Sequence, residues 1–227
     1  VSKQNVVAVD GPAGSGKSTV AKLLAEQLGL LYIDTGSMFR AIGYYLNQNG
    51  IDVTKENLDE SDSAKLLLDK MNFSYRPKQD VLIEINGEDL TDKIRHHSVS
   101  SLASFVSQYS IVRDYLAKVQ RTIALTRESI LEGRDIGTII FPQAKLKIYL
   151  TASAEDRANR RIKDLQERGQ TGLSKEEILK DIIDRDHRDM SRKIAPLKKA
   201  DDAKEIDTTG MTIEQVVDKI KQIYQQL

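Results

Sequence analysis

One segment near the start of the chain constrains its fold more than any other: Gly11-Pro12-Ala13-Gly14-Ser15-Gly16-Lys17-Ser18. It fits the pattern G-x-x-x-x-G-K-[ST]. An apolar run, Val6–Val9, ends just before it, and an amphipathic helical pattern begins inside it. Strand, glycine-rich loop and helix in that order make an anion site. The glycines let successive backbone N–H groups converge on phosphate oxygens, and the helix N-terminus adds a partial positive charge. Lys17 can reach the outer phosphates of a nucleotide, and the Ser18 hydroxyl can ligate Mg2+. Gly11, Pro12, Ala13, Gly14, Ser15, Gly16, Lys17, Ser18 and Thr19 are the candidate nucleotide-binding residues, with Ser18 the candidate metal ligand.

Such a loop needs a supported strand to launch it. Four further apolar runs fit buried parallel strands: Leu30–Ile33, Ser129–Leu131, Leu146–Leu150 and Ala203–Ile206. Helical patterns separate them, which predicts an α/β fold whose sheet is covered by helices on both faces. The first helix carries its apolar stripe on Val20, Leu23, Leu24 and Leu28, and Gly29 stands where a C-terminal glycine cap belongs.

Residues 71–91 break the alternation. They read as β-rich runs around a Pro77–Asp80 turn and around Asn86-Gly87. Asn-Gly suits a type I′ turn, which needs positive φ at both central residues. The expectation is a small antiparallel meander inserted between the second and third core strands, flanked by helices at Asn57–Met71 and Val99–Thr126.

Charge excludes several functions. The 227 residues carry 34 Lys plus Arg and 34 Asp plus Glu, so the formal net charge is zero. That speaks against a globally basic nucleic-acid binder. Cysteine is absent, which removes disulfides and thiolate chemistry, and three histidines are too few for a His-rich metal cage. No apolar run approaches the roughly 18–20 residues that span a bilayer. The expectation is a cytoplasmic protein with no membrane segment. The first residues are too short for a signal sequence, and the missing Met suggests a processed or truncated start. No long apolar stripe demands a partner, so a monomer is expected.

Three clusters point to a second phosphate-bearing ligand. Asp34-Thr35-Gly36 and Arg40 follow the second strand, where open α/β sheets bind ligands. The same residues also suit an ordinary helix cap beside a solvated arginine. Glu132-Gly133-Arg134-Asp135-Ile136-Gly137-Thr138 follows the third strand, and an arginine there can fork onto phosphate. An Arg-Asp dipeptide is equally a common surface pair. Lastly, Glu155–Glu205 holds 14 basic and 13 acidic residues in 51 positions. Arg157, Arg160 and Arg161 share one helical face there, as do Arg185, Arg188, Asp189 and Arg192. Asp181–Arg185, Asp184–Arg188 and Arg185–Asp189 could instead lace a solvated face. Residues 168–172 read as a flexible tip between two helices. A GTP switch is disfavoured. Thr54-Lys55-Glu56-Asn57 lacks the guanine-reading Asp, and Asp207-Thr208-Thr209-Gly210 lies after the last strand.

Taken together, these blocks resemble the bacterial-type cytidylate kinases, a nucleoside monophosphate kinase group of P-loop kinases. The resemblance rests on Gly11–Thr19, on Asp34-Thr35-Gly36 with Arg40, and on Glu132–Thr138 ending in Phe141-Pro142. It rests also on Asp184-Arg185-Asp186-His187-Arg188-Asp189 with Arg192 and Ala195-Pro196-Leu197. It implies a P-loop fold with a five-stranded parallel sheet, an inserted β meander and a helical lid. The core would be 1–36, 127–154 and 193–227, the monophosphate-binding region 37–126 with its insert at about 71–91, and the lid 155–192. It implies ATP-dependent phosphorylation of CMP and dCMP, with Mg2+ as cofactor. Thr35, Arg40, Arg134, Arg185 and Arg192 would grip the CMP phosphate. Ser104, Arg113 and Asp135 would read the cytosine edge, and Asp189 with Arg185 would hold the sugar. Lys17, Arg157 and Arg161 would stabilise charge on the transferred group. UMP or AMP as acceptor, or a P-loop regulator, are the competing readings.

Overall fold

The structure is a computed structural model, and it describes residues 4–77, 82–167, 169–170 and 172–227. The chain divides into two compact units, Val1–Ile33 with Ala124–Leu227, and Asp34–Ile123.

The first unit is built on a five-stranded parallel sheet. Its strands are β1 (Gln4–Asp10), β2 (Leu31–Asp34), β6 (Ser129–Gly133), β7 (Ala144–Thr151) and β8 (Lys204–Asp207), in the order β2-β6-β1-β7-β8. All five fall on the apolar runs read from the sequence, each with a small shift of its ends. β1 is central: Val7 sits in register with Ile130 on one side and Leu146 on the other. Residues 6–10 of β1 are buried without alternation, as a strand covered on both faces requires.

Helix α1 (Lys17–Leu28) packs Val20, Ala21 and Leu24 onto Val7, Val9, Ile148 and Leu150. Helix α9 (Ile213–Gln225) adds Val216, Val217 and Ile220 to the same core. Gly29 ends α1 in the left-handed region, φ 68°, with its N–H on the Ala25 carbonyl. Two further helices, α7 (Ala154–Glu167) and α8 (Lys175–Ser191), close a small core of their own from Ala158, Leu165, Ile178 and Ile182. Ser174 starts α8 with a capping box to Glu177. Of the expected tip between them, residues 168 and 171 lie outside the described set.

The second unit carries α2 (Thr35–Gln48), α3 (Asp62–Lys70), the strands β3 (Phe73–Arg76), β4 (Leu82–Ile85) and β5 (Glu88–Asp89), then α4 (His97–Ser100), α5 (Leu102–Val106) and α6 (Ser110–Ala124). The three strands form the antiparallel meander. Asn86 and Gly87 both have positive φ, 53° and 82°, as the I′ turn demands. Most of the expected Pro77–Asp80 turn, residues 78–80, lies outside the described residues. Gly43 lets α2 meet α5, since a Cβ there would lie 2.8 Å from that of Leu102.

Two expected helices differ from the structure. The pattern over Asn57–Met71 gives a helix only from Asp62, capped by Ser61. Upstream, the Asn57 side chain takes the Asp59 N–H and keeps the chain in a turn. The helix expected over Val99–Thr126 is three helices, α4 to α6. Serine hydroxyls fold back on backbone carbonyls, Ser101 on Ser98 and Ser107 on Ser104. The Asp59 carboxylate then accepts the Ser110 and Ile111 N–H groups and the Ser110 hydroxyl, so that α6 starts afresh.

Candidate active site

The loop between β1 and α1 has the glycines its path requires. A Cβ on Gly11 would fall 2.0 Å from the Leu150 carbonyl oxygen, so only hydrogen fits. Gly14 and Gly16 take φ of 75° and 88° and turn the loop. The Ser15 hydroxyl donates to the Pro12 carbonyl at 3.1 Å. Gly14, Ser18 and Thr19 are exposed at the rim, whereas Lys17 is buried.

Lys17 donates from Nζ to the Pro12 carbonyl at 2.6 Å and to the Ser15 hydroxyl at 3.3 Å. Burial pushes its pKa down to about 7, and the guanidiniums of Arg134 and Arg185 push the same way against Glu132 and Asp10. A phosphate brought to this ammonium would meet a cation whose burial is costly. Asp10 lies beneath, buried and raised to about 6 by desolvation. Its two oxygens accept the N–H groups of Ile136 and Gly137, at 2.9 and 2.7 Å. These open a π-helical turn, Ile136–Ile140, directly after the Arg134-Asp135 pair.

The Ser18 hydroxyl donates to Glu132 Oε1 at 2.6 Å. The sequence pattern alone assigns Glu132 no role. Its signal was present: an acid at the C-terminal end of a buried strand, next to the glycine that precedes Arg134. A hydroxyl and a carboxylate side by side are hard oxygen donors, which suit Mg2+.

Three arginines of the first unit, Arg134, Arg185 and Arg192, surround Asp189. Arg134 Nε donates to its Oδ2 at 3.0 Å, and Arg185 Nε lies 3.9 Å away. Burial pushes the Asp189 carboxyl up, but Arg134, Arg185 and Arg192 together hold it below the usual carboxylate range. Arg192 faces Asp135 at 3.6 Å, and its Nε donates to the Ala195 carbonyl at 2.6 Å. Arg134, Asp135, Arg185, Asp189 and Arg192, far apart in sequence, are thus brought into one connected charged network.

On α7, Arg157 is buried against the P-loop, and Arg161 turns to Asp164 at 2.8 Å. Arg160 donates to the Thr208 hydroxyl and carbonyl, at 2.9 and 2.6 Å. The switch-like Asp207–Gly210 stretch is therefore a loop that fastens α7 after β8.

Within the second unit, Asp34 caps α2 by accepting the Ser37 N–H at 2.8 Å and pairs with Arg40 at 3.2 Å. Thr35 is buried at the first turn of that helix. Arg113 is buried, donates to the Ser107 carbonyl at 3.1 Å and lies 5.5 Å above the Phe39 ring. Ser107 in turn donates to the Ser104 carbonyl at 3.1 Å, which links Ser104 to Arg113 through one residue.

A phosphate loop leaving the central strand of a parallel sheet, with a buried lysine and an arginine network in the same unit, defines a P-loop kinase. The sequence model of the cytidylate kinase family matches residues 7–226, and the chain belongs to that family, a group of nucleoside monophosphate kinases. A cytidylate kinase of Thermosipho melanesiensis is 43% identical over 217 residues, covering 96% of this chain and 95% of that protein. A bifunctional pantoate ligase/cytidylate kinase of Trichodesmium erythraeum is 43% identical over 222 residues, which are 98% of this chain and 41% of that protein. An uncharacterised protein from Eubacterium ventriosum shares the fold, with a TM-score of 0.50 at 15% identity over 99% of this chain and 100% of that one.

Proposed function

We propose that this protein transfers the γ-phosphoryl group of ATP to CMP and dCMP, giving ADP and CDP or dCDP. The observation that carries the reading is the family match across residues 7–226, which takes in the P-loop and the arginine network together. An oxygen of the CMP phosphate attacks the γ-phosphorus. One O–P bond forms, the bond to the bridging β-γ oxygen breaks, and ADP leaves. That oxygen is already anionic at neutral pH, so no general base is needed. Catalysis is positioning and charge stabilisation.

Gly11–Thr19 bind the ATP phosphates. Lys17, Arg157 and Arg161 offset the charge that builds on the transferred group. Arg134, Arg185 and Arg192 bind the acceptor phosphate, Asp135 reads the cytosine edge, and Asp189 with Arg185 holds the sugar. Thr35 and Arg40 contact the acceptor phosphate, and Ser104 and Arg113 contact its base. Ser18 and Glu132 would hold Mg2+, which when bound would neutralise phosphate charge. We place the protein in the cytoplasm as a monomer whose ligands are nucleotides rather than nucleic acid. Among the described residues, no helix is long and apolar enough to cross a membrane.

An ADP-release assay across CMP, dCMP, UMP and AMP tests the reading. CMP and dCMP should give the highest kcat/KM. Preference for UMP or AMP would move the protein to another acceptor, and ATP hydrolysis with no monophosphate dependence would make it a regulator.

A further inference from the structure

The proposed chemistry gives no role to the buried acid Asp186. Asp186 sits on α8, 8% exposed, and faces the P-loop. Its Oδ1 accepts the backbone N–H of Ala13 at 3.3 Å, and its Oδ2 pairs with Nη1 of Arg157. The same Nη1 donates to the Ala13 carbonyl at 3.0 Å. Arg157 is itself fixed, with Nε on the Ala152 carbonyl at 3.1 Å. Both polar backbone groups of Ala13 are therefore held from outside the loop, the N–H by the acid and the C=O by the base. The arginine stem fills the remaining space: a Cβ on Gly14 would lie 3.1 Å from that of Arg157.

A P-loop binds phosphate only when its free N–H groups point inward. Gly14, at positive φ, has no side chain to restrict the turn, so the restraint must come from neighbours. A buried ion pair kept for stability alone is a weak explanation, since apolar residues would avoid its desolvation. Here both charged groups converge on one backbone residue. We infer that Asp186 is a positioning residue for ATP: with Arg157 it clamps Ala13 and shapes the P-loop before nucleotide arrives. The inference rests on the kinase activity proposed above.

Steady-state kinetics of Asp186→Asn test it. KM for ATP should rise about tenfold or more, while KM for CMP at saturating ATP changes less than about threefold. In a cycle with Arg157→Gln, the double variant should lose no more than the worse single variant, because the two act on one residue. An ATP KM within about twofold of the parent, or losses that multiply, overturns the clamp. Should Asp186→Asn fail to fold, hydrogen exchange at the Ala13 amide of the unaltered, nucleotide-free protein decides. Strong protection supports the clamp, and exchange at the rate of an unprotected amide overturns it. If the unaltered protein phosphorylates none of the monophosphates, the kinase reading falls while the exchange measurement still judges the clamp.

Discussion

Lys17 and Asp10 are charged groups whose burial costs the folded protein stability. For Lys17 the unfolded chain keeps its proton up to about 10.5, whereas the folded protein releases it near 7. Between those values the unfolded state binds more protons, so stability rises with pH across that window. Lys17→Met should therefore cut turnover by about a hundredfold or more while raising the stability of the nucleotide-free protein by about 1–2 kcal/mol. Urea midpoints at pH 6.5 and 10 check the second half, because the gain should fade towards the higher pH. Near-normal turnover in this variant would sink the P-loop assignment. Asp10 runs the other way. The folded protein holds its proton to about pH 6 and the unfolded chain to about 3.8, so this group lowers stability as pH rises between them. The P-loop residues were legible in the sequence because loop, strand and helix are contiguous. Asp10 and Asp186 were not, because each acts on a partner that only the fold brings near; Glu132 has its signal at a strand end, but its partner Ser18 is distant in sequence.

Elements show the same division between local and distant causes. The core strands and α1 could be read directly, since period and composition agree with burial along each run. The segment over 99–126 could not, because its apolar periodicity continues past a break whose cause lies elsewhere in the chain. Asp59 supplies the acceptors that restart α6 at Ser110. Asp59→Ala should cost about 1–2 kcal/mol in urea unfolding, as loss of a helix cap does. No measurable loss would mean that α6 needs no cap from Asp59. The stretch after α8 has a comparable tie. Ala195 holds positive φ, 47°, unusual for a residue with a Cβ, while its carbonyl receives Arg192. Ala195→Val puts a branched side chain at that angle and should destabilise the protein by about 1–3 kcal/mol. KM for CMP should rise more than KM for ATP, since Arg192 is the group displaced. Equal changes in both would separate Ala195 from the acceptor role proposed for Arg192.

Zero net charge says nothing about local fields, and the whole molecule illustrates why. Its 34 acids do more than balance its 34 bases on the surface. Some are placed among the arginines proposed to meet phosphate, and Asp189 answers to three of them. On the proposed role of these arginines, a phosphate entering the network would replace a carboxylate's role rather than meet bare cations, so binding would change the balance of charge without needing a basic protein. Removing Asp189 exposes the arrangement. Asp189→Asn leaves Arg134, Arg185 and Arg192 without their shared counter-ion and should lower stability by about 3 kcal/mol near neutral pH. Because the Asp189 pKa is depressed, its contribution is present above the ordinary carboxylate pKa and lost as pH falls through the depressed value. The gap between parent and variant should accordingly close in strong acid. Inorganic phosphate should then raise the melting temperature of the variant more than that of the parent, since it supplies the missing negative charge. Equal shifts in the two proteins would show that the arginines do not form the anion site. Duplex DNA at matched phosphate concentration should shift neither, because Arg134, Arg185 and Arg192 are gathered around carboxylates instead of spread along a face that could follow a polyanion.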